Sequence, residues 1–233
     1  MNNHSVAMPV AASRRSARAA RPARVLRAAV PTEEKHAAIL NAATRVFARR
    51  GFFGAQVADV AHAAGVAAGT VYLYFRSKDD LLVSIFERTM REAIDEGRQA
   101  LEGVADPVVR LRRIAHLHLQ RLGRDRDLAV VFQVELRQSI KFMEQFSSTQ
   151  LQEYLALIRD TIAAGQAAGL FRSDIRPSVA AKVFFGALDE MATNWVLSRR
   201  RYSLDPEADA VVDLFVNGVS NSRSHESRAP TRE

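Results

Sequence analysis

The sequence predicts an all-α fold of about nine helices, with three short helices first and longer ones after them. Apolar residues recur at helical spacing along the body of the chain, and no segment of any length alternates between apolar and polar residues as a strand does. Capping residues precede the periodic segments, and glycine or proline separates them. At 233 residues the chain can bury a substantial core, as one good-sized domain or two small ones.

The three short helices lie in the N-terminal third of the chain. Thr32 is placed to cap the first helix, and Gly51, which follows two arginines, is placed to end it. The second helix is expected over about residues 56–64, before Gly65. The third begins near Ala67.

Cap signatures also mark the longer helices. Ser77 is placed to cap a long helix, with Asp80 reaching back to complete a capping box. Asp106-Pro107 and Asp205-Pro206 each combine an N-cap acid with a proline at the first helical position. Glycines at positions 103, 123 and 169 mark the ends of three helices.

The composition excludes several classes of protein. There is no cysteine, so neither disulfides nor thiolate metal sites are available. The sequence contains no run of about 18 apolar residues that would span a membrane, and no secretory signal segment. A cytoplasmic protein without a membrane partner is therefore expected.

The net charge of +7 is carried by the chain ends. Residues 1–30 hold six arginines and no acid, and residues 221–233 carry a net charge of +1, so the body between them is neutral. Both ends are predicted to be disordered. The N-terminal segment has three interpretations: a basic arm that adds salt-sensitive affinity for phosphates, a solvated leader or misassigned start, and an Arg-rich transit peptide.

The stretch AAGTVYLYFRSKDDLL, residues 67–82, is too polar and too aromatic for a simple core helix. Val71 and Phe75 are four residues apart, so they are expected to face the first helix together. The side chains left pointing outward are Thr70, Tyr72, Leu73 and Tyr74, with Lys78 just beyond them. Hydroxyls and cations bind phosphates, and leucine can contact a thymine methyl. The pattern favours a helix-turn-helix on DNA, although tyrosines that only cover a small helical domain would have the same spacing.

Residues 36–83 carry a longer and more specific pattern. It consists of F-x-x-x-G-F at the end of the first helix, V-x-x-V-A-x-x-A-G-V across the turn, and G-T-V-Y-x-Y-F-x-S-K in the third helix. This segment resembles the DNA-binding domain of the tetracycline-repressor (TetR) family. That family often has Ser or Thr at the position of Ala55, so Gln56 is expected to take over a phosphate contact. Together, the residues predicted to contact double-stranded DNA are Gln56, Ala68, Gly69, Thr70, Tyr72, Leu73, Tyr74 and Lys78.

The resemblance also implies a division of labour along the chain. Members of the family use the remainder of the chain to sense a ligand and to dimerise. The expected organisation is therefore a basic arm over residues 1–30, a helix-turn-helix domain over 31–77, a helical ligand-binding and dimerisation domain over 78–220, and a tail over 221–233.

Two segments bear on the ligand: VELRQSIKFMEQF (134–146) and AAKVFFGALDEMATNWVLSRR (180–200). They resemble the family's FadR-type regulators of fatty-acid degradation, which implies a long-chain acyl-coenzyme A as effector and no cofactor. Aromatic residues would line an acyl tunnel and arginines would meet the coenzyme phosphates, although the same residues are typical of simple core and of a helix C terminus. The predicted ligand-binding residues are Phe132, Arg137, Phe142, Phe146, Phe184, Phe185, Trp195 and Arg199.

The last two helices, expected over about 178–199 and 206–220, are predicted to form a homodimer. Val211, Val212, Phe215, Val216 and Val219 make an apolar stripe broader than one neighbouring helix would cover. A two-fold dimer with paired reading helices predicts a palindromic operator.

The function predicted from these features is that of a nucleoid-associated repressor of fatty-acid degradation genes, released by long-chain acyl-coenzyme A. One alternative is a repressor of the same fold that answers a hydrophobic drug or another lipid at an efflux operon. Another is a helical metalloenzyme, because Glu33-x-x-His36 and Asp59-x-x-His62 have carboxylate–histidine spacing, but these pairs lie on short early helices and no catalytic motif is present. An architectural DNA binder would not need the additional residues, about 150, of a second domain.

Overall fold

The computed structural model describes residues 32–138, 149–200 and 202–220, together with Met1. Through these ranges run nine α-helices: α1 Glu33–Arg50, α2 Val57–Ala64, α3 Ala68–Val71, α4 Lys78–Leu101, α5 Pro107–Arg124, α6 Arg126–Val130, α7 Thr149–Ala167, α8 Pro177–Leu197 and α9 Glu207–Val219. After α6 the chain makes one turn of π-helix, Val131–Glu135, and a 3₁₀ turn, Leu136–Gln138. The predicted all-α fold is confirmed.

The caps explain where the first helices begin and end. Thr32 accepts a hydrogen bond from the Lys35 N–H through its hydroxyl, at 3.4 Å. Gly51 closes α1 and Gly65 closes α2, both with positive φ, which a glycine adopts without strain. The Gly65 N–H reaches back to the carbonyls of Ala61 and His62. The turn between α2 and α3 is therefore fixed by backbone hydrogen bonds.

Two predicted caps differ in detail from the structure. The Ser77 hydroxyl accepts from the Asp80 N–H as expected, at 3.1 Å, but the Asp80 carboxylate accepts from the Arg76 N–H, one residue before the cap. Asp205 does not cap α9, which starts at Glu207. Its carboxylate lies 2.9 Å from Nδ1 of His116 on α5 instead, so a partner distant in sequence has taken the place of the local cap.

The core is built around α4, the longest helix, which packs against α1, α5 and α7. The α1 side of this contact buries Ile39, Leu40 and Phe47 completely. At the other end of the unit, α8 packs between α7 and α9, and the ring of Phe184 lies 4.8 Å from that of Phe215. The core is thus continuous from the N-terminal helices to the C-terminal pair.

The chain between α7 and α8 is held closely against the end of α9. The Arg172 N–H donates to the Val219 carbonyl at 2.8 Å, and Phe171 and Ser220 form an antiparallel bridge. The Phe171 ring also covers Gly165 of α7, where an added Cβ would lie 2.2 Å from the ring. Only glycine leaves room for this contact.

Among the described helices, none has the combination of length and apolar character that crossing a membrane requires.

Candidate functional site

The residues around α3 form an exposed surface backed by a buried one. Tyr72 and Leu73 are 57% and 53% exposed, while Val71 and Phe75 are almost fully buried behind them. Gly69 is exposed, and an added Cβ would meet nothing within 4 Å, so its backbone is open to a partner. We call the exposed groups of residues 68–70, 72 and 73 the reading face. Val71 and Phe75 face inward and Tyr72 and Leu73 face outward, as the sequence predicted, whereas Thr70 is only partly exposed.

A shallow depression connects the reading face to the start of α2. It is lined by Gln56, Ala58, Ala68 and Tyr72, with Ala55 and Lys78 beneath. Gln56 is exposed, and its backbone N–H donates to the Asp59 carboxylate at 3.0 Å. This hydrogen bond is the largest cause of the lowered pKa of Asp59, with Arg50 adding to it. Gln56, which was predicted to contact DNA, thus lines the depression and is exposed.

Tyr74 was predicted to point outward, and the structure corrects that expectation. It is half-buried, its ring packs beside His36 and Phe75, and its hydroxyl accepts from the Thr32 N–H at 2.9 Å. The side chain thus fastens the start of α1 to the turn after α3. Any contact of the Tyr74 hydroxyl with DNA would share the oxygen that already holds Thr32.

Lys78 is also more internal than predicted. Its ammonium donates to the carbonyls of Phe52, Phe53 and Ala55, at 2.7, 3.3 and 3.0 Å, and lies 4.6 Å from the centre of the Phe52 ring. An ammonium has three N–H groups, so these carbonyls can occupy all of its donors. Lys78 holds the loop between α1 and α2 against the start of α4. A phosphate contact from Lys78 remains a prediction that requires one of these bonds to be exchanged.

A narrow apolar cavity of about 50 Å³ lies between α4, α5, α7, α8 and the π turn. Met90, Ile114 and Leu157 are among the apolar residues that line it, together with Phe132 and Phe185. Both phenylalanines were predicted to bind the ligand. A cavity of this kind accepts apolar groups and excludes water unless polar partners are present.

One polar pair lies in the wall of this cavity. Nδ1 of His118 lies 3.0 Å from the Tyr154 hydroxyl, while Nε2 is buried and has no hydrogen-bond partner. Burial lowers the pKa of His118 to about 4, with Arg121 adding to the effect, and raises the pKa of Tyr154. Both groups are therefore neutral near pH 7. The unpaired His118 nitrogen can bind one polar atom of a ligand.

Phe184 and Trp195, which were also predicted to bind the ligand, do not line the cavity. Phe184 packs on α9, and the Trp195 indole N–H donates to the Tyr202 carbonyl at 2.8 Å, with the Arg126 guanidinium 4.8 Å from its ring. Both are used to join α8 to its neighbours. Phe142 and Phe146 lie outside the described residues.

The two arginines predicted to bind the ligand, Arg137 and Arg199, do not line the cavity either. Arg137 donates to Asp189 at 2.5 Å and to the Gln133 side chain at 2.7 Å, so it braces the π turn against α8. Arg199 is exposed beyond the end of α8, away from the lining of the cavity.

A polar cleft of about 540 Å³ adjoins the cavity on the side of α1. It holds four arginines and four acids: Arg45, Arg88, Arg121, Arg124, Glu92, Glu96, Asp125 and Asp127. Arg121 forms ion pairs with Glu92 and Glu96, at 3.1 and 2.6 Å. The cleft and the cavity share Thr89, Glu96, Leu117 and Arg121 as lining residues, so a single layer of side chains separates them.

Sequence reasoning missed His118, Tyr154, Gln133 and the arginines of the cleft. The burial of His118 could have been predicted, because it lies four residues from both Ile114 and Leu122 on the apolar stripe of α5. The arginines carried no such signal, since α1, α4 and α5 meet there only in the folded chain. In the part of the chain that the structure describes, no group of three His, Asp or Glu side chains is placed to hold a metal ion.

Large apolar side chains are exposed on α8 and α9. The most exposed are Leu214, Leu197 and Val183, at 78%, 67% and 59%. Of the residues predicted to form this surface, Val211, Val212 and Val219 are buried in the monomer, and Phe215 and Val216 are half-buried. Leu214, the most exposed apolar residue of α9, was not among the predicted ones.

Comparison with known proteins gives matches to both parts of the chain. Residues 39–85 match the family model described as bacterial regulatory proteins, tetR family, and residues 86–218 match that of the YsiA-like protein, C-terminal region. The fatty acid metabolism regulator protein of Bacillus subtilis is 33% identical over 187 residues, which cover 80% of this chain and 96% of that protein.

Solved structures of two regulators are similar in fold. The fatty acid degradation regulator FadR from Bacillus halodurans has a TM-score of 0.74 and 34% identity, covering 79% of this chain and 99% of that chain. FadR from Bacillus subtilis in complex with stearoyl-CoA has a TM-score of 0.75 and 31% identity, with the same coverage of 79% and 99%.

Proposed function

Because the chain belongs to the TetR family of bacterial regulatory proteins, we propose that it is a repressor of fatty-acid metabolism genes whose effector is a long-chain acyl-coenzyme A. The observation that carries this proposal is the apolar cavity next to a cleft that contains arginines. The B. subtilis relative that binds stearoyl-CoA supports it.

On the DNA side, the reading face supplies the contacts. The Tyr72 hydroxyl and the Thr70 hydroxyl suit phosphate oxygens, and the exposed Leu73 suits a thymine methyl in the major groove. Ala68 and Gly69 let the backbone approach the bases closely, because neither side chain extends from the surface. A regulator of this kind acts on the chromosome, so its place of action is the nucleoid.

On the effector side, the acyl chain enters the cavity between Phe132 and Phe185. Burial of each methylene contributes about 0.8 kcal/mol, so an acyl chain is a strong source of binding free energy. The thioester carbonyl accepts a hydrogen bond from His118 when Nε2 carries the proton. The phosphates of the coenzyme lie in the polar cleft, where Arg45 and Arg124 replace the predicted Arg137 and Arg199.

The functional unit is a homodimer formed through α8 and α9. Leu214, Leu197 and Val183 are exposed on these two helices and would be buried between two copies. A two-fold axis presents two reading faces to half-sites one helical turn apart, which is about 34–36 Å along B-DNA. The operator is therefore a palindrome.

Release of DNA follows from the different affinities of the effector for two arrangements of the dimer. One arrangement places the reading faces at the half-site spacing, and the other does not. A tenfold loss of operator affinity requires a coupling free energy of about 1.4 kcal/mol.

The test uses a palindromic duplex that the full-length protein selects from a random pool. Operator affinity is measured by fluorescence anisotropy with stearoyl-CoA, with free stearate and with coenzyme A alone. We expect at least a tenfold loss of affinity with stearoyl-CoA and little change with the other two compounds. Undiminished operator binding at saturating stearoyl-CoA would reject acyl-coenzyme A as the effector. Equal release by stearate would show that the cleft does not need to bind the coenzyme phosphates.

A matched pair of variants locates the site. Ala93 lines the cavity and Ala164 is exposed on α7. Ala93→Phe fills the cavity and should abolish release by stearoyl-CoA, while Ala164→Phe, with the same change in volume, should respond as the wild type does.

A further inference from the structure

Glu135 is a buried carboxylate that connects the π turn to the DNA-binding helices. It is only 6% exposed, and its Oε2 accepts a hydrogen bond of 2.6 Å from the backbone N–H of Phe52, 83 positions earlier. The Gln138 side chain donates to the same oxygen at 3.4 Å. A buried carboxylate is costly unless it is hydrogen-bonded, so this contact holds the loop between α1 and α2 to the turn after α6.

The same loop is held from its other side by Lys78. The Phe52 carbonyl accepts from the Lys78 ammonium at 2.7 Å, and the Ala55 carbonyl accepts from it at 3.0 Å. Lys78 is the first residue of α4, and the turn after α3 leads directly into it. A displacement of the loop therefore reaches the reading face through a few hydrogen bonds.

The other end of the connection lies in the wall of the cavity. Phe132 and Gln133 line the cavity and belong to the same π turn as Glu135. Gln133 donates to Asp189 of α8 at 3.1 Å and accepts from Thr193 at 2.9 Å, so the turn is braced on α8. A π turn inside helical structure is often found at functional sites.

The cavity is too small to hold an acyl chain unless the residues that line it move. An engineered cavity of about 150 Å³ binds benzene, whereas this cavity has about 50 Å³. An acyl chain can enter only if lining residues move apart. Because packed interiors transmit strain rather than absorb it, a shift of Phe132 and Gln133 will carry Glu135 with it.

We propose that Glu135 is the positioning residue that couples occupancy of the cavity to the orientation of the reading face, through the Phe52 N–H. The coupling rests on the proposed function, since it describes how the effector acts. With the cavity empty, the Glu135–Phe52 bond holds the loop in the arrangement that binds the operator. With the cavity occupied, the π turn shifts and this bond lengthens or breaks.

The first test needs no effector and compares two substitutions of similar size. Glu135→Gln keeps an oxygen that can accept from the Phe52 N–H, whereas Glu135→Met fills the space without an acceptor. We expect Glu135→Gln to bind the selected operator within threefold of the wild type and Glu135→Met to bind at least fivefold more weakly, at equal folded fraction by circular dichroism. Equal affinities for the two variants overturn the proposal, because filling the space would then be enough.

The second test measures coupling directly in the wild-type protein. Stearoyl-CoA should increase the hydrogen-exchange rate of the Phe52 amide at least threefold, and it should release operator from Glu135→Gln more effectively than from Glu135→Met. Glu153→Gln, which removes a carboxylate from an exposed pair with Arg98, is the control and should behave as the wild type.

The outcomes separate the two proposals. If stearoyl-CoA leaves wild-type operator binding unchanged, the effector assignment fails, and the comparison of Glu135→Gln with Glu135→Met alone decides the role of Glu135. If stearoyl-CoA releases operator while Phe52 exchange stays constant, the effector assignment stands and the coupling through Glu135 is overturned. The exchange measurement also decides the question if Glu135→Met does not fold.

Discussion

At the scale of single residues, Tyr72 and Tyr74 carry the same side chain in different surroundings. Tyr72 is exposed on the reading face, whereas the Tyr74 hydroxyl accepts from the Thr32 N–H and its ring packs beside His36. Their two hydroxyls should therefore serve different purposes, one in binding and the other in stability.

Removal of each hydroxyl tests this difference. Tyr72→Phe should lower operator affinity about tenfold, because a hydrogen bond to a charged phosphate is lost, and should leave the free energy of unfolding within about 0.5 kcal/mol of the wild type. Tyr74→Phe should lower the free energy of unfolding by about 0.5–1 kcal/mol, because the Thr32 N–H loses its partner. Urea unfolding and anisotropy titrations measure the two quantities. The reading face would be wrongly assigned if Tyr72→Phe bound operator normally.

The predictions that succeeded at this scale depended on neighbours in sequence. The outward direction of Tyr72 and Leu73 follows from the burial of Val71 and Phe75, which can be recognised from a spacing of four. The partners of Lys78 could not be predicted, because the carbonyls it binds lie 23 to 26 positions away. The same applies to Glu135, where the sequence indicates a polar residue among apolar ones but not the amide that it meets.

At the scale of helices, sequence signals close to a helix predicted its presence, but they did not always predict the residue that caps it. Thr32, Ser77 and Asp106 cap α1, α4 and α5 as expected, because a cap needs only the residues that follow it. Asp205 has the same sequence signature but contacts His116 of α5. The separate short helix α6 and the π turn after it were not predicted, since their geometry depends on packing against α1 and α8.

Helix α5 carries two histidines with opposite effects on stability. His118 has a pKa lowered to about 4 by burial, so between pH 4 and 6.5 the unfolded chain binds a proton that the folded chain does not. His116 lies between Asp205 and Asp209, and hydrogen bonds to these carboxylates raise its pKa.

The stability of the protein should therefore respond to pH through both groups. The contribution of His118 is lost as pH falls from 6.5 to 4, and a pKa lowered from 6.5 to about 4 corresponds to about 3 kcal/mol. His118→Leu should remove that part of the decline, as measured by urea unfolding at several pH values. The contribution of His116 is present below pH 6.5 and is lost as pH rises through its raised pKa, so His116→Asn should flatten the curve above pH 6.5 instead. Identical curves for His118→Leu and the wild type would show that His118 is solvated.

At the scale of the whole molecule, the exposed apolar residues of α8 and α9 predict the oligomeric state. Leu214→Asp places a charge at the centre of the proposed interface, where desolvation is costly, so the variant should have the 25.8 kDa mass of one chain by light scattering. Leu170→Asp is the control, because Leu170 is exposed between α7 and α8. If Leu214→Asp remained a dimer, the interface would lie on another surface, and the predicted half-site spacing would no longer follow.

The contact between the α7–α8 connection and the end of α9 determines where the gene can be shortened. Arg172 and Val219 share a hydrogen bond, and Phe171 rests on Gly165 next to it. A stop codon placed after Ser220 leaves this junction complete. A stop codon only four codons earlier removes Val219 and Ser220, the residues that pair with Arg172 and Phe171, so the yield of folded product should drop sharply between two otherwise similar truncations.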